Sequence, residues 1–417
     1  MPDIRDYTDI VGQGGIDELF LLADRLQGKE IQNINSTAVG GGVAEILIRM
    51  IPLLRQLGVN ACWDVIKGDE LFFSVTKKMH NALHGVDAPI SANEFEHFLQ
   101  VNRDNAAEMT FAKDITFIHD PQPIALVERK AELGSKWIWR CHIDFTEPRH
   151  QVMDFLTPYI AQYDASVFSA PAFSRQLGIP QVLISPSIDP LSEKNKEIPQ
   201  SVIDATLEQY GIDRDRPIVT QISRFDYLKD PVGVIHAYRK VKKYVNCQLV
   251  LAGGGATDDP EGMQVLAEVR EAASDDPDIH VLFLPPSSDI EINALQRASA
   301  VVLQKSLKEG FGLTVSEALW KGRPVIASAV GGIPLQIAHK YSGILTHSID
   351  GTAYYLKQLL QEPEYAERLG RNGKENVRTN FLITRHIRDY LLLFLSVFYP
   401  GDIVRLDGAL DAGKPKA

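Results

Sequence analysis

The chain carries Lys308-Glu309-Gly310-Phe311-Gly312-Leu313-Thr314-Val315-Ser316-Glu317-Ala318, in which seven residues separate two carboxylates. An apolar run at 300–303 precedes it and is typical of a buried strand, while residues 314–320 have helical character. Glycines in the turn let backbone N–H groups approach a ligand closely, and a helix N-terminus favours anions. The stretch therefore predicts a strand–turn–helix unit that binds sugar hydroxyls beside a phosphate, as in a sugar nucleotide.

The same alternation of short apolar strands and helical segments runs outward from this stretch in both directions. Such alternation predicts a doubly wound parallel sheet in an α/β fold. A mostly helical insertion, 69–109, interrupts the first series. The predicted strands lie at 30–35, 59–66, 115–118, 137–139, 165–168 and 181–184, and then at 218–222, 248–252, 280–284, 300–303 and 324–327.

The length of 417 residues exceeds what one hydrophobic core usually serves, so two domains are expected. A Pro- and Ser-rich segment, 185–190, divides the two strand series and is typical of a linker. We predict an N-terminal Rossmann-like domain at 1–185, a C-terminal one at 186–380, and a terminal helix with a frayed tail at 381–417. Two such domains facing each other would build one deep interdomain cleft.

Composition and charge argue against several classes of function. The net charge of −11, from 43 basic and 54 acidic residues, disfavours general binding to nucleic acid or anionic membranes. Three widely spaced cysteines form neither a zinc pattern nor a disulfide framework, as in a reducing cytosol. Residues 1–15 lack the apolar core of a signal peptide, and the apolar run 390–398 is too short to span a bilayer. A cytoplasmic protein is expected.

Glycines and polar residues follow many of the predicted strands. In open α/β sheets, ligands bind beyond the carboxyl ends of the strands, so a shared placement there predicts one site. The residues so placed are Gly40, Gly41, Gly42, His119, His142, Arg224, Gly253 and Glu309. The glycine triplet either brings backbone amides to a diphosphate or sugar oxygen or makes a tight turn, and the sequence leaves both readings open.

Arg224 and Lys229 offer a planar donor fork and a point charge five residues apart, after a predicted strand. Together they suit a leaving diphosphate, whose developing charge must be neutralised. The competing reading is a solvated loop in which both cations pair with Asp226 and Asp230. The sequence does not decide between the two.

His119 and His142 are candidates for orienting sugar hydroxyls or assisting a proton transfer, and Asp120 and Asp144 lie beside them. A structural role is the alternative for each histidine. No set of His, Asp and Glu has metal-site spacing, and no P-loop lysine motif or Rossmann glycine fingerprint is present. We therefore expect no metal.

Of the two carboxylates in the opening stretch, only Glu317 has a structural role that competes with ligand binding. Thr314 and Glu317 match a capping box, in which the carboxylate would reach back to a backbone N–H of its own helix. Glu309 has no comparable local role, because it lies before the turn between Lys308 and Gly310. Glu309 is therefore the stronger candidate for a ligand contact.

The Glu309-x7-Glu317 element in its Gly-Phe-Gly-Leu context, with Arg224 and Lys229, resembles retaining GT-B glycosyltransferases of the glycogen- and sucrose-synthase-like group. Further motifs, in order along the chain, are similar to those of the trehalose glycosyltransferring synthases. These motifs are Asn35-Ser36-Thr37 with 40–47, His119-Asp120-Pro121-Gln122-Pro123, Trp139-Arg140-Cys141-His142-Ile143-Asp144, 186–195 and Asp258-Asp259-Pro260-Glu261-Gly262.

The resemblance implies reversible formation of trehalose from ADP- or UDP-glucose and glucose, with retention at the anomeric carbon and no cofactor. It implies small-molecule partners only, without nucleic acid or membrane, and allows a homodimer. It further implies that the helix at 384–398 packs back on the first domain. By position, Arg224 and Lys229 would stabilise the leaving diphosphate.

The remaining roles are also carried over by position. Donor glucose would be bound by Glu309, by His142 near the reacting carbon, and by the amides of Gly310, Phe311, Gly312 and Leu313. Glu317 would hold the ribose. The acceptor side would be shaped by His119, Asp120, Gly40, Gly41, Gly42 and Glu45.

Two positions depart from the family pattern: Ala327-Ser328 stands where Gly-Arg is usual, and 339–344 replaces an Asp-Gly-x-x-Gly-Phe turn. Trehalose phosphorylases are close relatives of this family, so a phosphorylase remains an alternative. A non-catalytic protein that binds a nucleotide sugar is another.

Overall fold

The structure, a computed structural model, describes residues 2–38, 42–254, 260–274 and 276–401. Two six-stranded sheets form its frame, and every strand pairs in parallel with its neighbours. The first sheet has the order β2-β1-β3-β4-β5-β6. Its strands are β1 (Glu30–Asn35), β2 (Asn60–Val65), β3 (Ile115–His119), β4 (Lys136–Cys141), β5 (Ala165–Phe168) and β6 (Gln181–Leu183).

The second sheet has the order β12-β11-β10-β7-β8-β9, which is the Rossmann arrangement. Its strands are β7 (Ile218–Ile222), β8 (Gln248–Gly253), β9 (Ile279–Phe283), β10 (Val301–Gln304), β11 (Val325–Ser328) and β12 (Ile344–Thr346). Strand order reverses between β7 and β10 in this sheet and between β1 and β3 in the first. Ligand crevices form at such switch points.

Helices cover both faces of the sheets, which is why central strands such as β3 and β7 are buried along their whole length. In the first half of the described chain they are α1 (Thr8–Val11), α2 (Gln13–Asp24), α3 (Gly42–Gln56), α4 (Glu70–Leu83), α5 (Ala92–Glu108), α6 (Lys130–Leu133) and α7 (His150–Ile160). In the second half they are α8 (Gln200–Gln209), α9 (Pro231–Lys242), α10 (Pro260–Ala273), α11 (Asp289–Ala298), α12 (Leu313–Trp320), α13 (Ile333–Gln336), α14 (Ile349–Gln361), α15 (Pro363–Asn380) and α16 (Ile383–Phe398).

The last helix, α16, returns to the first sheet. Tyr390 and Phe394 are fully buried in the core that covers that sheet, and Phe117 of β3 packs edge-on against both rings. The chain crosses between the two sheets twice, and the two crossing segments lie side by side. The N–H of Ile188 donates to Phe381 O and the N–H of Ile383 donates to Ile188 O, each at 2.9 Å. The domain boundaries after residues 185 and 380 stay predictions.

The predicted α/β class is confirmed, with two doubly wound, Rossmann-like parallel sheets. Eleven predicted strands are present with ends within one or two residues of the predicted ones. The edge strand β12 was not predicted, because its first residue lies in the segment 339–344, for which the family pattern predicts a turn. Among the described residues, no helix combines the length and the apolar character that a membrane crossing needs.

Candidate active site

Glu309 lies after β10 and Lys229 after β7, the two strands that flank the switch point of the second sheet. Lys229 Nζ donates to Glu309 Oε2 at 2.7 Å, and Ser306 Oγ donates to the same oxygen at 3.1 Å. The Glu309 side chain is only 11% exposed, so both donors compensate a largely desolvated charge. The predicted cation and the predicted carboxylate therefore form one pair.

The turn after Glu309 depends on glycine at two points, Gly312 and Gly332. Gly312 has a φ of 83° and is the residue just before α12. Gly332 packs against the turn. The N–H of Gly332 donates to Gly310 O at 3.1 Å, and a Cβ on Gly332 would lie 2.7 Å from that oxygen. Phe311 is buried against Phe381, with 5.5 Å between ring centroids. This packing fixes the path of residues 310–313.

Glu317 is 2% exposed on α12. Its Oε2 accepts from Gln296 Nε2 at 3.4 Å, and Lys194 Nζ lies 4.0 Å from Oε1. Burial raises the pKa of Glu317, and the Lys194 charge opposes that rise. The capping-box alternative is wrong, because Thr314 Oγ1 donates to Gln304 Oε1 at 3.0 Å and α12 has no side-chain cap.

Lys194 was not predicted as a site residue, although it belongs to the motif at 186–195. Its Nζ donates to both carboxylate oxygens of Glu45 at 3.0 Å and lies 3.7 Å from Asp289. Glu45 belongs to α3, beside the first sheet, whereas Asp289 and Glu317 belong to helices beside the second. One ammonium thus joins carboxylates from both halves of the protein.

His119, His142 and Asp120 come together beyond the first sheet. His119 Nδ1 and His142 Nε2 are 3.1 Å apart, and the two rings stack with centroids 5.5 Å apart. Asp120 has a φ of 65° and accepts the backbone N–H of His142 at 2.7 Å. Burial raises the pKa of Asp120 to about 7 and lowers that of His119 to about 3.

The two halves meet at the glycine turn. A Cβ on Gly310 would lie 2.6 Å from His142 O, so only glycine allows this approach. A Cβ on Gly42 would lie 3.3 Å from Leu313 Cδ1, and Lys308 Nζ is 3.5 Å from Glu147. Gly42, predicted for the acceptor side, and Leu313, predicted for the donor side, therefore lie close together where the two halves meet.

The remaining predicted site residues do not belong to the contacts given above. The side chain of Arg224 is 56% exposed and lies 3.7 Å from Asp226, at the distance of a loose ion pair. Lys229 does not pair with Asp226 or Asp230 as its alternative reading required, since Asp230 pairs with Lys305. Gly40 and Gly41 lie outside the described residues, as do 258 and 259 of the Asp258–Gly262 motif. Within the described part of the chain, no group of His, Cys, Asp or Glu is arranged to hold a metal ion.

Two family models match the chain. Residues 33–175 match the "Trehalose synthase, N-terminal domain" and residues 202–376 match "Glycosyl transferases group 1". A trehalose synthase from Rubrobacter xylanophilus is 46% identical over 400 residues, which are 94% of this chain and 96% of that protein. The chain belongs to the trehalose synthase family of glycosyltransferases. A second member, from Pyrococcus horikoshii, is 43% identical over 93% of this chain and 95% of its own.

Solved structures confirm the fold of this family member. A UDP-forming α,α-trehalose-phosphate synthase from Burkholderia xenovorans, in complex with glucose-6-phosphate, superposes with a TM-score of 0.70. The match covers 88% of this chain and 100% of that one at 15% identity, so the likeness extends to the GT-B fold alone. The protein is a member of a glycosyltransferase family and has the GT-B fold with two Rossmann-like sheets.

Proposed function

We propose that the protein makes trehalose from a nucleoside diphosphate glucose and glucose, with retention at the anomeric carbon. The observation that carries this proposal is the 2.7 Å Lys229–Glu309 pair, held at a switch point and facing His142 across Gly310. A cation beside a sugar-binding carboxylate suits a donor that is charged at one end and hydroxylated at the other. We infer trehalose as the product from the family, whose members match nearly the full chain.

In this proposal Lys229 and Arg224 bind the diphosphate. Lys229 is fixed by Glu309, whereas the exposed side chain of Arg224 reaches the phosphates from the rim of the cleft. Glu309 accepts hydrogen bonds from hydroxyls of the donor glucose, and the N-terminal amides of α12, from 310 to 313, add favourable dipoles for its oxygen atoms. His142 contacts the same sugar near the reacting carbon.

Glu317 holds the ribose hydroxyls in the same scheme. A carboxyl group acts purely as an acceptor on both oxygens only when it is ionised, and burial works against ionisation. Lys194, 4.0 Å away, supports the charged form. Its contact with Glu45, on the acceptor side, links nucleotide binding to the position of α3.

The reaction breaks the bond between the anomeric carbon and the diphosphate oxygen and forms the bond to the acceptor oxygen on the same face. The acceptor hydroxyl gives its proton to the departing phosphate oxygen, so charges balance. Lys229 and Arg224 stabilise the negative charge that develops on the diphosphate, which is the largest change in charge along the reaction path. This scheme differs from that of retaining hydrolases, in which two carboxylates act as nucleophile and acid.

The test is to incubate the purified protein with ADP-, UDP- or GDP-glucose and glucose and to separate the products. Trehalose together with free nucleoside diphosphate is expected. No disaccharide with any nucleotide would refute the proposal. Phosphate-dependent cleavage of trehalose without nucleotide would identify a phosphorylase, and tight binding of nucleotide sugar without turnover would identify a non-catalytic binder.

A further inference from the structure

Asn33 is 1% exposed in β1 and lies behind the two histidines of the site. Its Nδ2 donates to Cys62 O on β2 at 3.3 Å. The opposite orientation of the amide would turn its oxygen toward that carbonyl oxygen, and two acceptors would then face each other. The amide oxygen of Asn33 therefore points toward His119.

This orientation determines which nitrogen of His119 carries the proton. Asn33 Oδ1 is only an acceptor and lies 3.0 Å from His119 Nε2, so Nε2 is the protonated nitrogen. His119 is buried, and burial lowers its pKa to about 3, so the ring is neutral at pH 7. Its Nδ1 is consequently an acceptor.

The protonated nitrogen of His142 follows from its contact with His119. Its Nε2 lies 3.1 Å from the unprotonated His119 Nδ1 and must donate. Burial also lowers the pKa of His142, so this ring is neutral and its Nδ1 is unprotonated. Among the described residues, no group forms a hydrogen bond with His142 Nδ1. A fully buried nitrogen without a partner would belong with the buried unpaired atoms such as His84 Nδ1, and His142 Nδ1 does not. That nitrogen is therefore accessible as an acceptor.

The position of His142 is fixed by contacts of its own. Its backbone N–H donates to Asp120, and its carbonyl lies against Gly310. With Nε2 held by His119, the ring has little freedom to turn. The residue is half-buried, and its backbone carbonyl lies beside the glycine turn that follows Glu309.

We propose that Asn33 is a positioning residue, which fixes His142 as a hydrogen-bond acceptor for a hydroxyl group of the bound sugar. The order is Asn33 oxygen, His119 Nε2–H, His119 Nδ1, His142 Nε2–H, His142 Nδ1 and sugar hydroxyl. Because His142 Nδ1, the last nitrogen in this series of hydrogen bonds, is an acceptor, it binds a hydroxyl group in preference to a group that can only accept hydrogen bonds. The identity of the sugar rests on the proposed function, whereas the protonation state of His142 does not.

The first test uses protein with ¹⁵N-labelled histidine and no ligand, and the His142 signal is identified by its loss in His142→Gln. We expect His142 to be protonated at Nε2. Asn33→Leu removes the acceptor and should release this tautomer. Asn35→Leu removes another buried amide, two residues along β1, which bonds to Trp63 and to Thr37 O, and should leave the His142 signal unchanged.

Protonation of His142 at Nδ1 in the parent protein would overturn the proposal without any variant. A parent-like tautomer in folded Asn33→Leu would overturn it as well. Both results are independent of turnover, so they are distinguishable from a failure of the proposed function.

The second test compares donors in which one glucose hydroxyl at a time is replaced by fluorine, which cannot donate. The parent enzyme should lose about tenfold in kcat/KM for one of these donors, as expected for one hydrogen bond. This penalty should shrink in Asn33→Leu. Equal fluorine penalties in both proteins at every position would contradict the assignment of an acceptor.

Discussion

Glu309 has two donors on one oxygen, so its other oxygen is the one that a sugar hydroxyl can use. Glu309→Ala removes that acceptor and leaves the Lys229 charge without its partner. We expect kcat to fall about 100-fold or more, with the fold retained. Steady-state kinetics and thermal melting measure the two effects.

The matched control is Glu367→Ala, which removes an exposed carboxylate from α15 that pairs with Arg371 at 3.6 Å. This variant should behave as the parent does, because surface pairs contribute little. A Glu309→Ala variant that transferred glucose at the parent rate would remove Glu309 from the site.

Asp120 gives a prediction about pH. Burial raises its pKa from 3.8 to about 7, so the folded state keeps a proton that the unfolded chain releases in this range. The contribution of Asp120 to stability is therefore present at low pH and is lost as pH rises toward 7. Asp120→Asn removes the titration, and Asn tolerates the positive φ of 65°.

Relative to the parent, Asp120→Asn should gain unfolding free energy between pH 5 and pH 7, by up to about 1.4 kcal/mol per pH unit. Urea denaturation at both pH values gives this difference, and groups common to both proteins cancel. A difference that did not change with pH would mean that Asp120 is not protonated in the folded state.

At this scale the sequence predicted the types of residue but not their partners. Glu309, Lys229, His119 and His142 were predicted from their places after strands, and the structure brings them into two contacting pairs. The Lys229–Glu309 pair spans 80 positions, which no local pattern can reveal. Asn33 and Lys194 were missed because a strand amide and a loop lysine carry no spacing signal.

Among the elements, the turn from 309 to 313 depends most on a single residue type. A Cβ at Gly310 would lie 2.6 Å from His142 O, and backbone on both sides leaves little room to adjust. Gly310→Ala should therefore push the turn away from His142 and lower kcat/KM by about 10- to 100-fold. Kinetics on the folded variant measure this loss.

Gly14→Ala is the matched control for this substitution. It lies in α2, where an added Cβ meets nothing within 4 Å, so activity should stay at the parent value. Parent-like activity in Gly310→Ala would show that the close approach to His142 is not needed for transfer.

Strands with clear boundaries in the sequence were predictable, including short ones such as β6. β5 and β7 have the predicted bounds, because their apolar runs are enclosed by turn residues. β1 also has the predicted bounds, although only Ile31 and Ile34 in it are apolar. β12 lacks such a boundary, because its first residue, Ile344, lies in a segment for which the family pattern predicts a turn. The capping box considered for the opening stretch is absent, since Gly312 precedes α12 and no side chain caps the helix.

At the scale of the whole molecule, Lys194 lies between the two sheets and faces carboxylates from both sides. Lys194→Met would leave Glu317 buried without its nearest cation, and burial already raises the pKa of that carboxyl. Its ionisation would then oppose folding as pH rises. We expect a loss of about 1 to 3 kcal/mol in unfolding free energy, larger at pH 8 than at pH 5.

Urea denaturation at both pH values tests this expectation. Lys196→Met is the control, because Lys196 pairs at the surface with Glu193 at 2.7 Å and should cost little at either pH. KM for the nucleotide sugar should also rise in Lys194→Met alone. Equal stability of the two variants at pH 8 would show that the ammonium of Lys194 does not support Glu317.

The central claim is that a glucosyl group passes from a nucleotide to glucose with retention. The most direct measurement is NMR of a reaction in which only the anomeric carbon of the donor glucosyl group carries ¹³C. We predict that the label appears in one ring of α,α-trehalose, with an equal amount of nucleoside diphosphate. Label found only in free glucose or in a β-linked product would contradict this account.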